Sequence, residues 1–321
     1  MKSTVVIPNY NGIDFLKDCL DSLNQCSPHD FAVIVVDNGS KDGSTELVKT
    51  DYPDVELIAL DTNTGFAPAV NVGIDASKTE YVILLNNDTR VDGQFVAAME
   101  KALDNNPKAF SASAKMVDMY NPKVLDGTGD YYSALGWAYA YGKGKSSDKE
   151  QKVRKIFSAC GGAAIYRRDV LNKIGKFDEN HFAYLEDIDV GYRAKIYGYH
   201  NIYMPEAIVY HAGSGSSGSR YNEFKINLSS RNNIYLVLKN MPVMQLIINL
   251  PFLIIGFGIK ALFFALKGYG GIYCRGLAKG VKLYFSESGK EKRVRFKMRN
   301  LWHYFVIQLE LWANIVRRLG A

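Results

Sequence analysis

Short apolar, β-branched runs recur through the first hundred residues, at Thr4–Ile7, Ala32–Val36, Val55–Leu60 and Tyr81–Leu85. Continuous runs of this kind suit strands buried on both faces of a parallel sheet. Amphipathic segments lie between them. Phe15, Leu16, Cys19, Leu20 and Leu23 fall at helical spacing behind Asp14, a candidate N-cap, and Phe95, Val96, Met99 and Leu103 follow Asp92 in the same way. The alternation predicts a Rossmann-like α/β fold, a mostly parallel sheet with helices on both faces. Polar clusters follow three of the runs: Asn9-Tyr10-Asn11, Asp37-Asn38-Gly39-Ser40 and Asn86-Asn87-Asp88. Ligands of open α/β sheets bind at the carboxyl ends of strands, so three such clusters predict one shared site. No GxGxxG follows the first strand, which argues against a dinucleotide enzyme. Pro8–Gly12 lacks the glycine- and basic-rich loop expected of a nucleotidyltransferase.

With 321 residues, 47% of them hydrophobic, the chain exceeds one ordinary domain. The simplest division is a catalytic domain over 1–238 and a helical, membrane-associating extension over 239–321. Charge supports it: residues 239–321 hold 14 Lys/Arg against 3 Asp/Glu, a balance of +11, whereas 1–238 hold 25 against 30. Cys19, Cys26, Cys160 and Cys274 form no CxxC pair, which points to a reducing compartment, and Met1-Lys2 leads into a strand without a signal peptide. Residues 118–157 read as an irregular insertion, and Gly213–Ser219 as a mobile loop.

Thr4–Asn11 (TVVIPNYN), Val35–Ser44 (VVDNGSKDGS), Asn63–Gly73 (NTGFAPAVNVG), Leu84–Asp88 (LLNND), Gly161–Gly162 and Leu185–Asp189 (LEDID) occur in that order. Together they resemble a family 2, GT-A type glycosyltransferase over roughly residues 1–220. LLNNDT, CGGAAIYRRDVL, LEDIDVGYR and RNNIYL (Arg231–Leu236) look most like bacterial rhamnosyltransferases that build cell-wall or surface polysaccharides.

The resemblance implies a nucleotide-sugar donor, dTDP- or UDP-linked, with its nucleotide held by Pro8, Tyr10, Asn11, Asp37, Gly65, Asn71, Asn86 and Asn87. Tyr10 offers a pyrimidine a face to rest on, and Asp37 offers its ring N3–H an acceptor; Asp37 as the start of a turn is the other reading. Asn86-Asn87-Asp88 stands where the family carries DxD, with Asn86 replacing the first carboxylate. A departing diphosphate gathers negative charge, and a carboxylate such as Asp88 suits the Mg²⁺ or Mn²⁺ that would neutralise it. His211 is implied as a further metal ligand, and Gly213–Ser219 as a lid. Asp187 matches the family's base, which takes the proton from the acceptor hydroxyl. Glu186 and Asp189 support it, unless one of them pairs with Arg193, four residues after Asp189. Gly161 and Gly162 match the loop where donor and acceptor approach the backbone. With one base and no second carboxylate placed as a nucleophile, the displacement should invert the anomeric carbon.

The tail decides the remaining partners. Val243–Leu266 is long enough to span a bilayer but contains Gln245, Asn249, Pro251 and Lys260. Lys290, Lys292, Arg293, Arg295, Lys297 and Arg299 then precede a helical stripe of Leu301, Phe305, Leu309, Trp312, Val316 and Leu319, with Trp302 beside it. Basic residues beside aromatics suit an anionic bilayer rather than nucleic acid. The stripe could equally bury against the catalytic domain or form a homodimer. These readings predict a peripheral protein on the cytoplasmic face of the bacterial plasma membrane, acting on a lipid-linked saccharide. A noncatalytic nucleotide-sugar-binding subunit and a UDP-sugar galactosyl, galactofuranosyl or N-acetylglucosaminyl transferase are the alternatives.

Overall fold

The predicted strands pair as a twisted sheet in a computed structural model that describes residues 1–213 and 221–320. Its strands are β1 (Ser3–Asn9), β2 (Phe31–Asp37), β3 (Glu56–Ala59), β4 (Tyr81–Leu85), β5 (Thr89–Val91), β6 (Ala109–Asp118), β7 (Leu125–Gly127), β8 (Asp130–Tyr132), β9 (Ala138–Ala140), β10 (Arg154–Ile156), β11 (Ala163–Arg167) and β12 (His200–His211). The main sheet runs β10-β12-β6-β11-β4-β1-β2-β3. Its β4-β1-β2-β3 half is parallel, as the apolar runs predict. β11 enters antiparallel between β4 and β6, while β12 runs parallel to β6. The carboxyl ends of β1, β2, β4, β6 and β12 therefore share one edge with the amino end of β11.

Helices cover both faces: α1 (Ile13–Asn24), α2 (Ser44–Asp51), α3 (Phe66–Ala76), α4 (Phe95–Asp104), α5 (Arg168–Ile174) and α6 (Glu186–Ile196). Asp14 does not cap α1. It lies inside the first turn, and Asp42 from the β2–α2 loop accepts from the Ile13 N–H at 2.9 Å instead. The expected irregular insertion is partly ordered. β7 extends the main sheet, β8 and β9 form a hairpin, and Tyr131, Tyr132 and Tyr139 are buried.

The C-terminal helices are α7 (Glu223–Asn240), α8 (Val243–Leu266), α9 (Gly270–Phe285), α10 (Glu287–Glu291) and α11 (Leu301–Arg317). The 238/239 boundary falls inside α7. Tyr304, Ile307 and Leu311 of α11 and Leu253 of α8 join the core that contains Tyr132, Phe157 and Tyr192. Each such side chain contributes about 1.5–3 kcal/mol by leaving water. Main-chain ties add to this: Ala134 N–H to the Leu311 carbonyl (3.0 Å) and Asn314 Nδ2 to the Tyr132 carbonyl (2.8 Å). The predicted stripe faces the other way: Leu301, Trp302, Phe305, Leu309, Trp312, Val316 and Leu319 are all exposed.

α8 is amphipathic in the inverted sense. Its polar residues point inward, with Tyr192 Oη donating to Gln245 (2.7 Å) and the Asn249 and Gln308 amides exchanging bonds at 2.8 and 2.7 Å. Val243, Met244, Ile247, Leu250, Ile254, Leu262 and Leu266 face out. Among the described residues it is the helix long and apolar enough to cross a bilayer.

Candidate active site

The edge where the carboxyl ends meet is stitched by amides. Asn9, the last residue of β1, donates from Nδ2 to Asp37 Oδ1 (2.9 Å) and accepts on Oδ1 from Asn87 Nδ2 (2.7 Å). The Ser40 N–H donates to Asp37 Oδ2 at 2.9 Å. Asp37 is thus buried and fixed with one bond to each oxygen, and each oxygen keeps a lone pair for a ligand donor. Asn11, in the left-handed region at φ 48°, ties its loop to the next by accepting from the Lys41 N–H (2.8 Å). Tyr10 is 44% exposed on this edge, open to stack against a ring, and Pro8 is half-buried behind it. Two predicted nucleotide residues are engaged inward. Asn87 is spent on Asn9, and Asn71 clasps the main chain of Phe177 through Nδ2 (2.8 Å) and Oδ1 (3.1 Å). Gly65 adopts φ +98°, and a Cβ there would lie 2.6 Å from the Phe182 ring, so the close approach requires glycine.

Asp88 and His211, 123 positions apart, converge because β12 ends beside the β4–β5 turn. His211 Nε2 lies 3.4 Å from Asp88 Oδ1, and Nδ1 lies 2.7 Å from Asp126 Oδ2. Burial opposes charge on this imidazole, but its bond to Asp126 and the nearby Asp88 carboxylate raise its pKa to about 9. Asp126 is correspondingly held down to about 2, against burial, by His211 and Lys143. Asp88 Oδ1 is buried without a hydrogen-bond partner. An orphaned hard oxygen beside an imidazole whose far nitrogen is gripped by a carboxylate fits a divalent cation, which would take the place of the Nε2 proton.

Asp187 sits in the first turn of α6 at the same edge. Its Oδ1 accepts from the Ile188 N–H (2.7 Å) and Oδ2 from the Gly161 N–H (3.3 Å). Burial nevertheless pushes its carboxyl above the ordinary range. Glu186, also buried, is pushed well above it by burial and by the Asp187 charge. Gly162 receives Asn86 on its carbonyl (2.8 Å), joining the two motifs. The chain before α6 is strained, with Phe182, Tyr184 and Leu185 at φ 62°, 70° and 70°. α7 holds it. Asn232 Nδ2 reaches the His181, Ala183 and Tyr184 carbonyls at 2.7–2.8 Å, and Arg231 reaches those of Asn180 and His181. Asp189 points elsewhere, to Arg193 Nε (2.9 Å), Lys239 Nζ (2.8 Å) and Asn240 Nδ2 (2.8 Å), so the Arg193 pairing is the one realised.

The model of glycosyl transferase family 2 matches residues 4–175, more than half of the chain. This protein belongs to that family. It is 27% identical over 239 residues to an N-acetylglucosaminyl-diphospho-decaprenol L-rhamnosyltransferase of Mycobacterium tuberculosis, covering 67% of this chain and 77% of the relative. Its fold resembles the mannosyltransferase PcManGT from Pyrobaculum calidifontis in complex with GDP-Man and Mn²⁺ (TM-score 0.55, 18% identity, 96% of this chain and 87% of that one). It also resembles S. aureus TarS 1-349 in complex with UDP-GlcNAc (TM-score 0.56, 18% identity, 91% and 84%).

As a family 2 glycosyltransferase with a GT-A-like sheet, the molecule carries two site residues that sequence reasoning passed over, Asp126 and Asp130. Both lie in the stretch expected to be irregular. Their signal was the pair of acids framing Gly127-Thr128-Gly129 after an apolar Leu125. Asp130 brings its carboxyl, with the Cys160 thiol, within 4.8 Å of Asp187. Of the expected lid, residues 214–219 lie outside the described residues. A bowl of about 530 Å³ lies apart from the polar edge, with walls that include Lys176, Lys292, Arg295 and Lys297.

Proposed function

We propose that the chain is an inverting glycosyltransferase that moves L-rhamnose from dTDP-β-L-rhamnose to a lipid-linked saccharide on the cytoplasmic face of a bacterial plasma membrane. The observation that carries the reading is the placement of Asp187 on the sheet edge that also bears Asp37 and the Asp88–His211 pair. Asp37 and Tyr10 hold the nucleobase, and Asn86 lines the approach to the diphosphate beside Gly162. Asp88 and His211 would hold Mg²⁺ or Mn²⁺, and such an ion supplies charge neutralisation for the leaving diphosphate. Asp187, half-buried and near two further acids, accepts the acceptor hydroxyl's proton as its oxygen attacks. The sugar in the name of the mycobacterial relative supports rhamnose.

The tail supports a peripheral attachment. Exposed apolar faces of α8 and α11 come before and after the basic segment 290–299 in the chain, a combination that suits an anionic lipid surface. α8 has committed Gln245 and Asn249 of its polar face to Tyr192 and Gln308 inside the fold, so it lies along lipid rather than through it. Residues 1–238 and 239–321 then serve chemistry and membrane contact respectively, although they share a core.

The test is a panel of dTDP-, UDP- and GDP-sugars incubated with a lipid-linked acceptor, with and without chelator, and NMR of the product's anomeric centre. The expected result is metal-dependent turnover of dTDP-β-L-rhamnose to an α-L-rhamnoside. A β-linkage contradicts the mechanism, and turnover of a UDP-sugar alone moves the donor to the alternative. Failure to turn over or hydrolyse any donor would instead favour a noncatalytic subunit.

A further inference from the structure

We infer that Asp130 is a positioning residue for Asp187, keeping its own proton at neutral pH and donating it in a hydrogen bond to the Asp187 carboxylate. The inference rests on Asp187 being the base. The carboxyl oxygens of Asp130 and Asp187 lie within 4.8 Å of each other and of the Cys160 sulfur. Two carboxylates this close repel each other, and a proton kept on one of them removes the repulsion.

The surroundings decide which of the two keeps it. Asp187 accepts main-chain N–H groups from Ile188 and Gly161, bonds that favour its ionised form. Among the described residues no N–H reaches the Asp130 carboxyl. The titratable groups facing Asp130 are Asp126, Cys160, Glu186 and Asp187, with the Tyr166 hydroxyl beside the same cluster, and none of these is a cation. Burial, and then the Asp187 charge, accordingly hold the Asp130 carboxyl well above the usual range.

The pair is also fixed through the backbone. Ser158 accepts on its carbonyl from the Asp130 N–H (2.9 Å), donates from its N–H to the Asp130 carbonyl (3.0 Å), and donates from Oγ to the Asp187 carbonyl (2.5 Å). One residue therefore sets the distance between the two acids.

During transfer, the acceptor O–H bond breaks and its proton passes to Asp187. The oxygen's electron pair forms the new glycosidic bond as the anomeric carbon–diphosphate bond breaks. Asp130 keeps its proton throughout and holds the receiving carboxylate in place while Asp187 becomes neutral.

The first experiment needs no donor. The full chain, labelled with ¹³C at aspartate carboxyls, is titrated by NMR, and Asp130→Asn and Asp187→Asn assign the two resonances. At pH 7 the Asp130 carbon is expected at its protonated position and the Asp187 carbon at its ionised one. An ionised Asp130 at pH 7 overturns the inference. The second follows turnover against pH with whichever nucleotide sugar the donor panel identifies. Asn at 130 still donates to Asp187, so Asp130→Asn should keep kcat within about 3-fold and leave the acid limb in place. Asp130→Ala should lose about 10-fold or more in kcat at unchanged donor KM. Its acid limb should move to higher pH, because an ionised Asp187 without its donor binds a proton more readily. Equal loss in both variants would mean that Asp130 touches substrate instead. If the panel yields no donor, the reading of Asp187 as base fails while the NMR result stands by itself.

Discussion

Asp187 and Asp189 stand two residues apart in the first turn of α6, and their surroundings are opposite. Asp189 is fully buried and shares Lys239 with Asp178 (2.8 and 2.7 Å), while Arg193 and Asn240 complete its bonds. Despite burial, those cations drive its pKa far below the carboxylate range. His181, in the same cluster, stays neutral, lowered by burial to about 4. The chain's own cations thus fill a cluster of Asp178, His181 and Asp189 that could otherwise hold a metal ion. Glu186 is buried nearby, with Asp187 and Asp130 half-buried beside it; among the described residues no cation pairs with them, and all three are pushed up. A charge compensated within the fold contributes to architecture; a buried carboxyl left without compensation is available for proton transfer.

The comparison is tested most severely by exchanging the two effects. Asp187→Asn should lower turnover at least ~100-fold with donor affinity and Tm nearly intact, as loss of a general base requires. Near-normal turnover would remove Asp187 from the chemistry. Lys239→Met should do the reverse: removing the cation that the buried Asp178 and Asp189 share costs about 3–5 kcal/mol in urea unfolding. Its pH dependence carries a sign. Asp189 is depressed in the fold, so its stabilisation is full above the unfolded pKa of about 3.9 and is lost as pH falls below it. Denaturation curves between pH 7 and 3 should show that loss in the wild type and much less of it in Lys239→Met. The raised acids Asp130 and Glu186 act oppositely, subtracting stability as pH rises through their unfolded values of about 4. Asn232→Ala comes next. It frees three carbonyls around the strained 182–185 turn, and about 1–3 kcal/mol of stability should be lost, with kcat falling ~10-fold as the base loses its aim. The smallest effect on the fold belongs to Trp302→Ala with Phe305→Ala, both exposed on α11. Stability should change by under ~0.5 kcal/mol, while co-sedimentation with anionic liposomes weakens. Unchanged sedimentation would detach this face from lipid.

How much of this could be read from residues alone follows the range of each interaction. The parallel half of the sheet was legible because β1, β2 and β4 are continuous apolar runs, and their polar ends mark the binding edge. Asp88, Asp187 and His211 stood out by position. Asp126 and Asp130 did not, because β7 and β8 are three residues each, too short for any period to register. Asn71 and Asn87 belong to the right motifs, but partners 106 and 78 residues away hold their side chains. The α11 stripe was visible as a stripe, yet its direction depends on Tyr304, Ile307 and Leu311, which only the folded core identifies as the inner face. The 238/239 division followed a real change in charge, but Lys239 and Asn240 are anchored to Asp189, a contact no composition profile contains.

The ties between α11 and the β8–β9 hairpin also bear on when the enzyme becomes an enzyme. Tyr132 accepts from Asn314 and Ala134 donates to Leu311 across about 180 residues of chain, and Asp130 lies two positions before Tyr132. A nascent chain emerging from the ribosome therefore lacks the support behind its acid pair until α11 has been made. The segment that presents Trp302 and Phe305 outward is the same one that completes the hairpin inward. Maturation of the site and presentation of the outward apolar face of α11 are thus a single event in synthesis. A form with a more polar surface would have to be obtained by replacing outward side chains of α8 and α11, since cutting the chain before them would leave the core around Tyr132 open.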